Sequence, residues 1–334
     1  EFQDLQPGWP SAILSSMLAS RRQRANSPAR RSGSSPRVSW PRRTVEPLHI
    51  LLGNRSLTWL LAGFAAVTMA EWGYVTALAV YAFRTHGSVA VGLVGFRLFF
   101  GAFGSFFRLP YIERHPGARL LTVISSTRAG IVAASSALAA AGAPLTILLI
   151  LVAVDAVVSA PYRPTQSAMI TVLARSPKEL AASVAGLSTV KTLSQALGAM
   201  GGGFLLAATS PSVAFAGAAG LLLGGALLTA RLTHVVVPLA HTLAPNRVTD
   251  RLRATIEVLH HPHVSAILVV SGLRTFVRGM WIAIAVIASL RLLHAGSAGV
   301  GLLMMAAGIG SLSAVPVSAA LVNRSRIGTP AAAA

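Results

Sequence analysis

Seven ionisable residues fall inside apolar stretches of this chain: Glu71, Arg97, Arg128, Asp155, Lys191, Arg274 and Arg278. A charge in hydrocarbon is costly, so such residues face a water-filled cavity or an opposite charge, and they mark ion and substrate paths. Glu71 and Asp155 are the two carboxylates of the set. A carboxyl shielded from water can hold and release a proton near neutrality, which makes both of them proton-coupling candidates. The competing role is neutralisation of an arginine: Glu71 with Arg97 or Arg128, and Asp155 with Arg128 or Lys191. Arg97, Arg128, Lys191, Arg274 and Arg278 are the cavity and substrate candidates. Arg274 and Arg278 stand four apart and so share one helix face. Two acids against five bases points to an anionic or amphipathic organic substrate.

These residues need helices that cross a bilayer to hold them. The chain has 334 residues, 54% hydrophobic and only 11% charged, against roughly 25% charged in an ordinary soluble domain. Mean hydropathy is +0.66. These values exclude a soluble globular enzyme and a disordered protein. A crossing helix takes about 20 apolar residues. Eight stretches qualify: 57–83, 88–108, 119–141, 144–165, 181–207, 211–232, 264–290 and 296–322. The spacing predicts a kink in the fourth at Pro161 and Pro164, and tight turns at Ala141–Pro144 and Thr209–Ser212. Long apolar runs exclude a β-barrel, whose strands alternate over about 10 residues.

The charge balance is +19, from 28 Lys and Arg against 9 Asp and Glu. The basic residues sit between apolar runs rather than forming a nucleic-acid stripe, so no nucleic-acid partner is expected. With the N-terminus inside, the inner loops carry Arg55, Arg108, Arg114, Arg119, Arg175, Lys178, Arg231, Arg247, Arg251, Arg253, Arg324 and Arg326; the outer loops carry only Arg84 and Arg291. Such a bias places the N-terminus in the cytoplasm and the protein in the plasma membrane, the inner membrane of a cell with two. In this topology the Asn54-Arg55-Ser56 and Asn323-Arg324-Ser325 triplets lie inside and are not glycosylation sites.

Residues 1–49 read as a disordered cytoplasmic arm rich in Arg, Ser and Pro. The chain opens on Glu1 and its first methionine is Met17, so this arm reads as partly non-native. Residues 50–232 read as a six-helix bundle, 233–263 as a cytoplasmic linker, 264–323 as helices 7 and 8, and 324–334 as a tail. The linker holds His260, His261 and His263, but no carboxylate or cysteine completes a metal site. The chain has no cysteine at all, and neither a metal nor a cofactor is expected. Glycines are frequent in the spans: Gly92, Gly95, Gly101 and Gly104; Gly198 and Gly202; Gly220 and Gly224. Small residues at four-residue spacing let helix backbones approach closely.

Three segments resemble known transporters. Arg108–Arg119 keeps Glu113, Arg114, Gly117 and Arg119 in the acid–base–Gly–base order of the Gly-x-Leu-x-Asp-Arg-x-Gly-Arg loop of the major facilitator superfamily, with Glu for Asp and one extra residue. Gly198-Ala199-Met200-Gly201-Gly202-Gly203 is similar to the Gly-Pro-x-x-Gly-Gly packing signature of drug exporters, without its proline; Gly198, Gly202 and Gly203 carry the match. The third runs from Pro161-Tyr162-Arg163-Pro164-Thr165-Gln166-Ser167-Ala168 to Arg175-Ser176-Pro177-Lys178-Glu179-Leu180. It resembles the end of helix 4 in the multidrug and siderophore-exporter branch, and span 7 with Arg274, Arg278 and Gly279 looks like actinobacterial members. The resemblance covers residues 50–323. It implies an all-α membrane protein with a six-helix N-terminal bundle and the first two helices of a second bundle. It also implies a gating latch at the Glu113–Arg119 loop and a substrate site at the midplane between two six-helix halves. The family has twelve spans, so eight read as a chain truncated after span 8.

Two functions follow from different classes. One is a proton-coupled secondary exporter of small organic or amphipathic compounds such as drugs or siderophores, monomeric when complete and working by alternating access. The other is a non-transporting receptor, scaffold or degenerate relic that keeps the fold. A membrane enzyme has little support: no HExxH, no phosphate-cradling Gly-rich loop with Lys, and no Ser–His–Asp arrangement is visible.

Overall fold

The computed structural model describes residues 53–95, 97, 99–101, 117–233 and 262–324, the last stretch only partly for its side chains. The described residues are helical, with no strand among them. In chain order the helices are α1 (Arg55–His86), α2 (Ser88–Gly95), α3 (Gly117–Ala140), α4 (Leu145–Ser159), α5 (Tyr162–Leu173), α6 (Pro177–Ala208), α7 (Pro211–Ala230), α8 (Pro262–Ile287) and α9 (Gly296–Arg324). Helical backbone continues beyond α2 through Gly101 where it is described. A π-helical turn, Ala288–Leu292, follows α8.

Local chemistry sets the ends. Asn54 caps α1 by accepting from Leu57 N, and Gly87 ends it at φ 75°, a value that favours glycine. Ser176 caps α6 by accepting from Glu179 N at 3.2 Å, with Pro177 in the first turn. A proline costs no hydrogen bond there. The two expected tight turns are present: α3 and α4 are joined by four residues with Gly142 at φ 72°, and α6 and α7 by two. The expected kink in the fourth span is a break at Ala160 and Pro161. Pro164 falls in the first turn of α5, where its missing N–H is harmless.

The expected count of eight spans is met in part. Four described helices are long and apolar enough to cross a membrane: α1, α3, the α4–α5 pair (Leu145–Leu173) and α7. α6 has 32 residues, but Lys191, Thr192, Ser194 and Gln195 in its middle lower its hydropathy. In the second, seventh and eighth stretches the apolar helices found among the described residues are shorter: Ser88–Gly101, Gly279–Leu292 and Gly296–Ser311.

α1 is the axis of the packing. It runs along both α6 and α7; α7 packs on α3, and α9 packs on α6. The core is aliphatic, with Leu57, Leu60, Leu78, Leu121, Leu148 and Leu222 fully buried or nearly so. Tyr74 of α1 meets Phe215 of α7 edge-on at 5.1 Å, and its hydroxyl lies 3.0 Å from Ser135 of α3. Large apolar side chains also stand exposed, including Ile150, Val154, Leu223, Leu227, Phe276 and Trp281. An exposed apolar surface of this kind suits lipid rather than water. Among the described residues the protein is all-helical, with four helices long and apolar enough to cross a membrane.

Candidate functional site

Four of the seven charges meet in one network. Arg97, next after α2 along the chain, donates through Nη2 to Glu71 Oε1 of α1 at 3.1 Å and to Asp155 Oδ2 of α4 at 3.2 Å. Arg128 of α3 grips Asp155 from the other side, Nε to Oδ1 at 2.7 Å and Nη2 to Oδ2 at 3.1 Å. Its Nη1 is 3.9 Å from Glu71 Oε2. Each carboxylate therefore faces both guanidiniums, and the quartet is electrically neutral. The two-pronged contact of Arg128 matches the planar fork of a guanidinium to a carboxylate. Of the sequence alternatives for Asp155, Arg128 is realised; Lys191 is not, and Arg97 takes the second place.

The two acids differ in access. The Asp155 side chain is fully buried, whereas that of Glu71 is 22% exposed. Glu71 is exposed because it lines a cavity of about 220 Å³, together with Phe64, Val67, Thr68, Arg97, Gly101, Arg128, Ala156, Ser159, Ala160, Tyr162 and Arg163. Helical spacing explains the wall. Phe64, Val67, Thr68 and Glu71 stand at i, i+3, i+4 and i+7 on α1, one stripe of that helix. Ala156, Ser159, Ala160 and Arg163 repeat the same spacing through α4 and into α5. The lining runs from Glu71 back toward the start of α1, and from Ala156 onward past the α4–α5 break. The quartet thus floors the cavity, and the cavity extends toward the end of the molecule where α1 begins. Arg163 stands exposed at its wall.

Lys191 lies half-buried on α6 and does not line this cavity. Arg274 and Arg278 belong to α8, but their side chains lie outside the described residues. Of the expected gating loop, Glu113 and Arg114 lie outside the described residues. Gly117 is buried where α3 meets α5, with room for a Cβ only 3.0 Å from Met169 Cγ, and Arg119 is exposed. The described residues hold no cluster of His, Cys, Asp or Glu able to bind a metal; His260 and His261 lie outside them.

The glycines divide. A Cβ on Gly198 or Gly202 of α6 would collide with the α1 backbone, at Met69 and Gly73 respectively. Gly203 faces the opposite neighbour, where a Cβ would stand 2.7 Å from Ser297 O of α9. Gly225 of α7 similarly presses on Val67 and Gly63 of α1. Gly220 and Gly224, and Gly92 and Gly95, meet open space among the described residues instead, so their spacing brings no close approach there.

Sequence reasoning did not single out Thr68 or Arg163 as site residues. The signal was the seven-residue stripe each completes with Glu71 or next to Asp155. In comparisons with known proteins, no family model matches the chain, and neither a curated protein nor a solved structure is similar to it.

Proposed function

We propose that the protein is a secondary active transporter of the major facilitator type, a proton-coupled exporter of small organic or amphipathic compounds that works by alternating access. The observation that carries this is the cavity floored by the Glu71–Arg97–Asp155–Arg128 network, at mid-length of helices apolar enough to cross a bilayer. Four interior charges tying α1, the segment after α2, α3 and α4 together are expensive. A bistable link between helices is one use that repays the cost.

The mechanism follows from the access of the two acids. Glu71 is reached from the cavity and takes the proton; Asp155, enclosed between two guanidiniums, is the fixed anchor. Protonation of Glu71 removes one of the two carboxylates that hold Arg97. The segment carrying Arg97 is then held by Asp155 alone and can shift against α1. Loss of the proton restores the clamp. The seam of α1 on α6, built of glycines, is a surface along which helices can slide during rocking. By the distribution of arginines the cavity faces the cytoplasm in this state, and the protein sits in the plasma membrane with its N-terminus inside. It acts as a monomer with lipid and substrate as its partners.

The test is gradient-driven efflux from cells or proteoliposomes for Glu71→Gln and Asp155→Asn. Both substitutions should abolish it. Undiminished efflux in Glu71→Gln sinks the proton role, and undiminished efflux in Asp155→Asn sinks the anchor. One observation favours the alternative of a receptor, scaffold or relic: the four charges saturate one another completely, as a purely structural network would. On that alternative no imposed pH gradient drives uptake or efflux of any compound.

A further inference from the structure

The four network charges cancel, so the sign of the cavity is set by what else lines it. Arg163 is exposed at the wall and makes no ion pair among the described residues. Among the described residues that line the cavity, it leaves one positive charge in excess. Thr68 is a second unspent group. The residue is 97% buried, being 3% exposed. Its neighbours in the fold, Thr58, Thr122, Thr165 and Thr229, each donate to the carbonyl four residues back in their own helix. Thr68 makes no such bond, and its hydroxyl has no partner among the described residues although it lines the cavity. The hydroxyl is therefore open to the cavity and free to donate to a ligand oxygen there.

We propose that the cavity binds a monovalent organic anion. Its oxyanion head pairs with Arg163 and accepts a hydrogen bond from Thr68, and its apolar body lies along Phe64 and Val67. This rests on the cavity being the substrate site of the proposed transporter, and it narrows the substrate to one charge class. A cation would find only Glu71 at the wall, already held by Arg97 and Arg128. An inorganic anion would leave the wall of Phe64, Val67, Ala156 and Ala160 unused.

The experiment is equilibrium dialysis of radiolabelled benzoate against the 334-residue chain in nanodiscs, with benzylamine and sulfate as competitors. Benzoate should bind, and neither benzylamine nor sulfate should displace it at equal concentration. Arg163→Gln should weaken binding about tenfold or more, the size of one lost charge pair at a partly solvated site. Arg163→Lys should keep most of the affinity, and Thr68→Val should lose a few-fold. Arg163→Gln should leave the melting temperature unchanged, since the side chain is exposed and makes no ion pair among the described residues, so a loss of binding at an unchanged melting temperature cannot be ascribed to misfolding. Equal binding by Arg163→Gln overturns the proposal, as does displacement by benzylamine or sulfate, or no binding of benzoate at about 10 mM. Flux separates the two levels. Benzoate binding without gradient-driven transport keeps the anion site and refutes transport; gradient-driven transport of an amine with no benzoate binding does the reverse.

Discussion

Helix α1 is held on two sides by opposite means. Toward α3, α4 and the segment after α2 it offers Glu71, and the contact is four charges in a ring. Toward α6 it offers Met69 and Gly73, and the contact is backbone on backbone through Gly198 and Gly202. The polar side leaves room: long arginines span the gap, and a cavity opens beside them. The glycine side leaves none. The difference separates two ways of joining helices where hydrophobicity cannot do it. Lipid is as apolar as a leucine side chain, so association rests on close packing or on polar contacts. Close packing gives a tight seam tolerant of sliding, and polar contacts give a link that a proton or a ligand can break.

The largest expected effect comes from the polar side. Asp155→Ala leaves Arg128 and Arg97 with Glu71, 22% exposed, as the one carboxylate of the network. Removing one partner of a buried ion pair costs roughly 3–5 kcal/mol, so the variant should melt far below the wild type in detergent or fail to accumulate. Glu71→Gln removes the more exposed acid and keeps its shape, and it should cost clearly less. If the two variants melt alike, the anchor and the accessible acid are not distinct.

On the glycine side, Gly198→Val should cost at least about 1–3 kcal/mol, the range for overpacking a tight contact, because the obstacle is the Met69 backbone and not a movable side chain. Gly220→Val, at the same four-residue spacing from its partner Gly224, should stay within about 0.5 kcal/mol, since nothing stands near it. Thermal unfolding of the pair checks this directly. Equal losses would mean that helix propensity, not close approach, decides.

The same pair shows what one sequence can and cannot reveal. Hydropathy placed α1, α3, α4–α5 and α7, and the turn residues marked their ends, because those signals are local. Gly198/Gly202 and Gly220/Gly224 read identically along the chain, and only the arrangement of neighbouring helices separates them. The quartet was half legible. Its members stood out as charges among apolar residues, but Arg97 reaching both carboxylates is a product of lateral packing. Arg163 was passed over because it sits between Pro161 and Pro164 near the end of an apolar run, where a charge reads as interfacial. Lys191 stands out in the sequence as a charge in an apolar run, yet it is not part of the cavity lining.

Smaller effects belong to the end where α1 begins. There Asn54 joins α1 to the turn before α6, donating to Leu173 O at 3.0 Å and Glu179 Oε2 at 3.2 Å. Asn54→Ala removes an N-cap and should cost about 1 kcal/mol. This contact is polar like the quartet but uncharged on the Asn54 side, so the loss stays smaller than that of a buried ion-pair partner.

Glu179 gives the mildest test, through pH. The Arg175 backbone N–H, 2.8 Å from Oε2, and the Asn54 amide hold its carboxyl below the usual value of 4.5. A folded-state value below the unfolded one means that the group adds stability above the unfolded value, and that this is lost as pH falls through the folded one. The melting temperature should therefore be flat from neutrality to about pH 5 and then decline as the medium is acidified further. Glu179→Gln should remove part of that decline while leaving the melting temperature at neutral pH only slightly lower. An unchanged acid limb in the variant would show that the contact at the start of α6 contributes nothing to the hold on α1. The tie on that helix would then lie in the quartet, the glycine seam and the packing of α1 on α7.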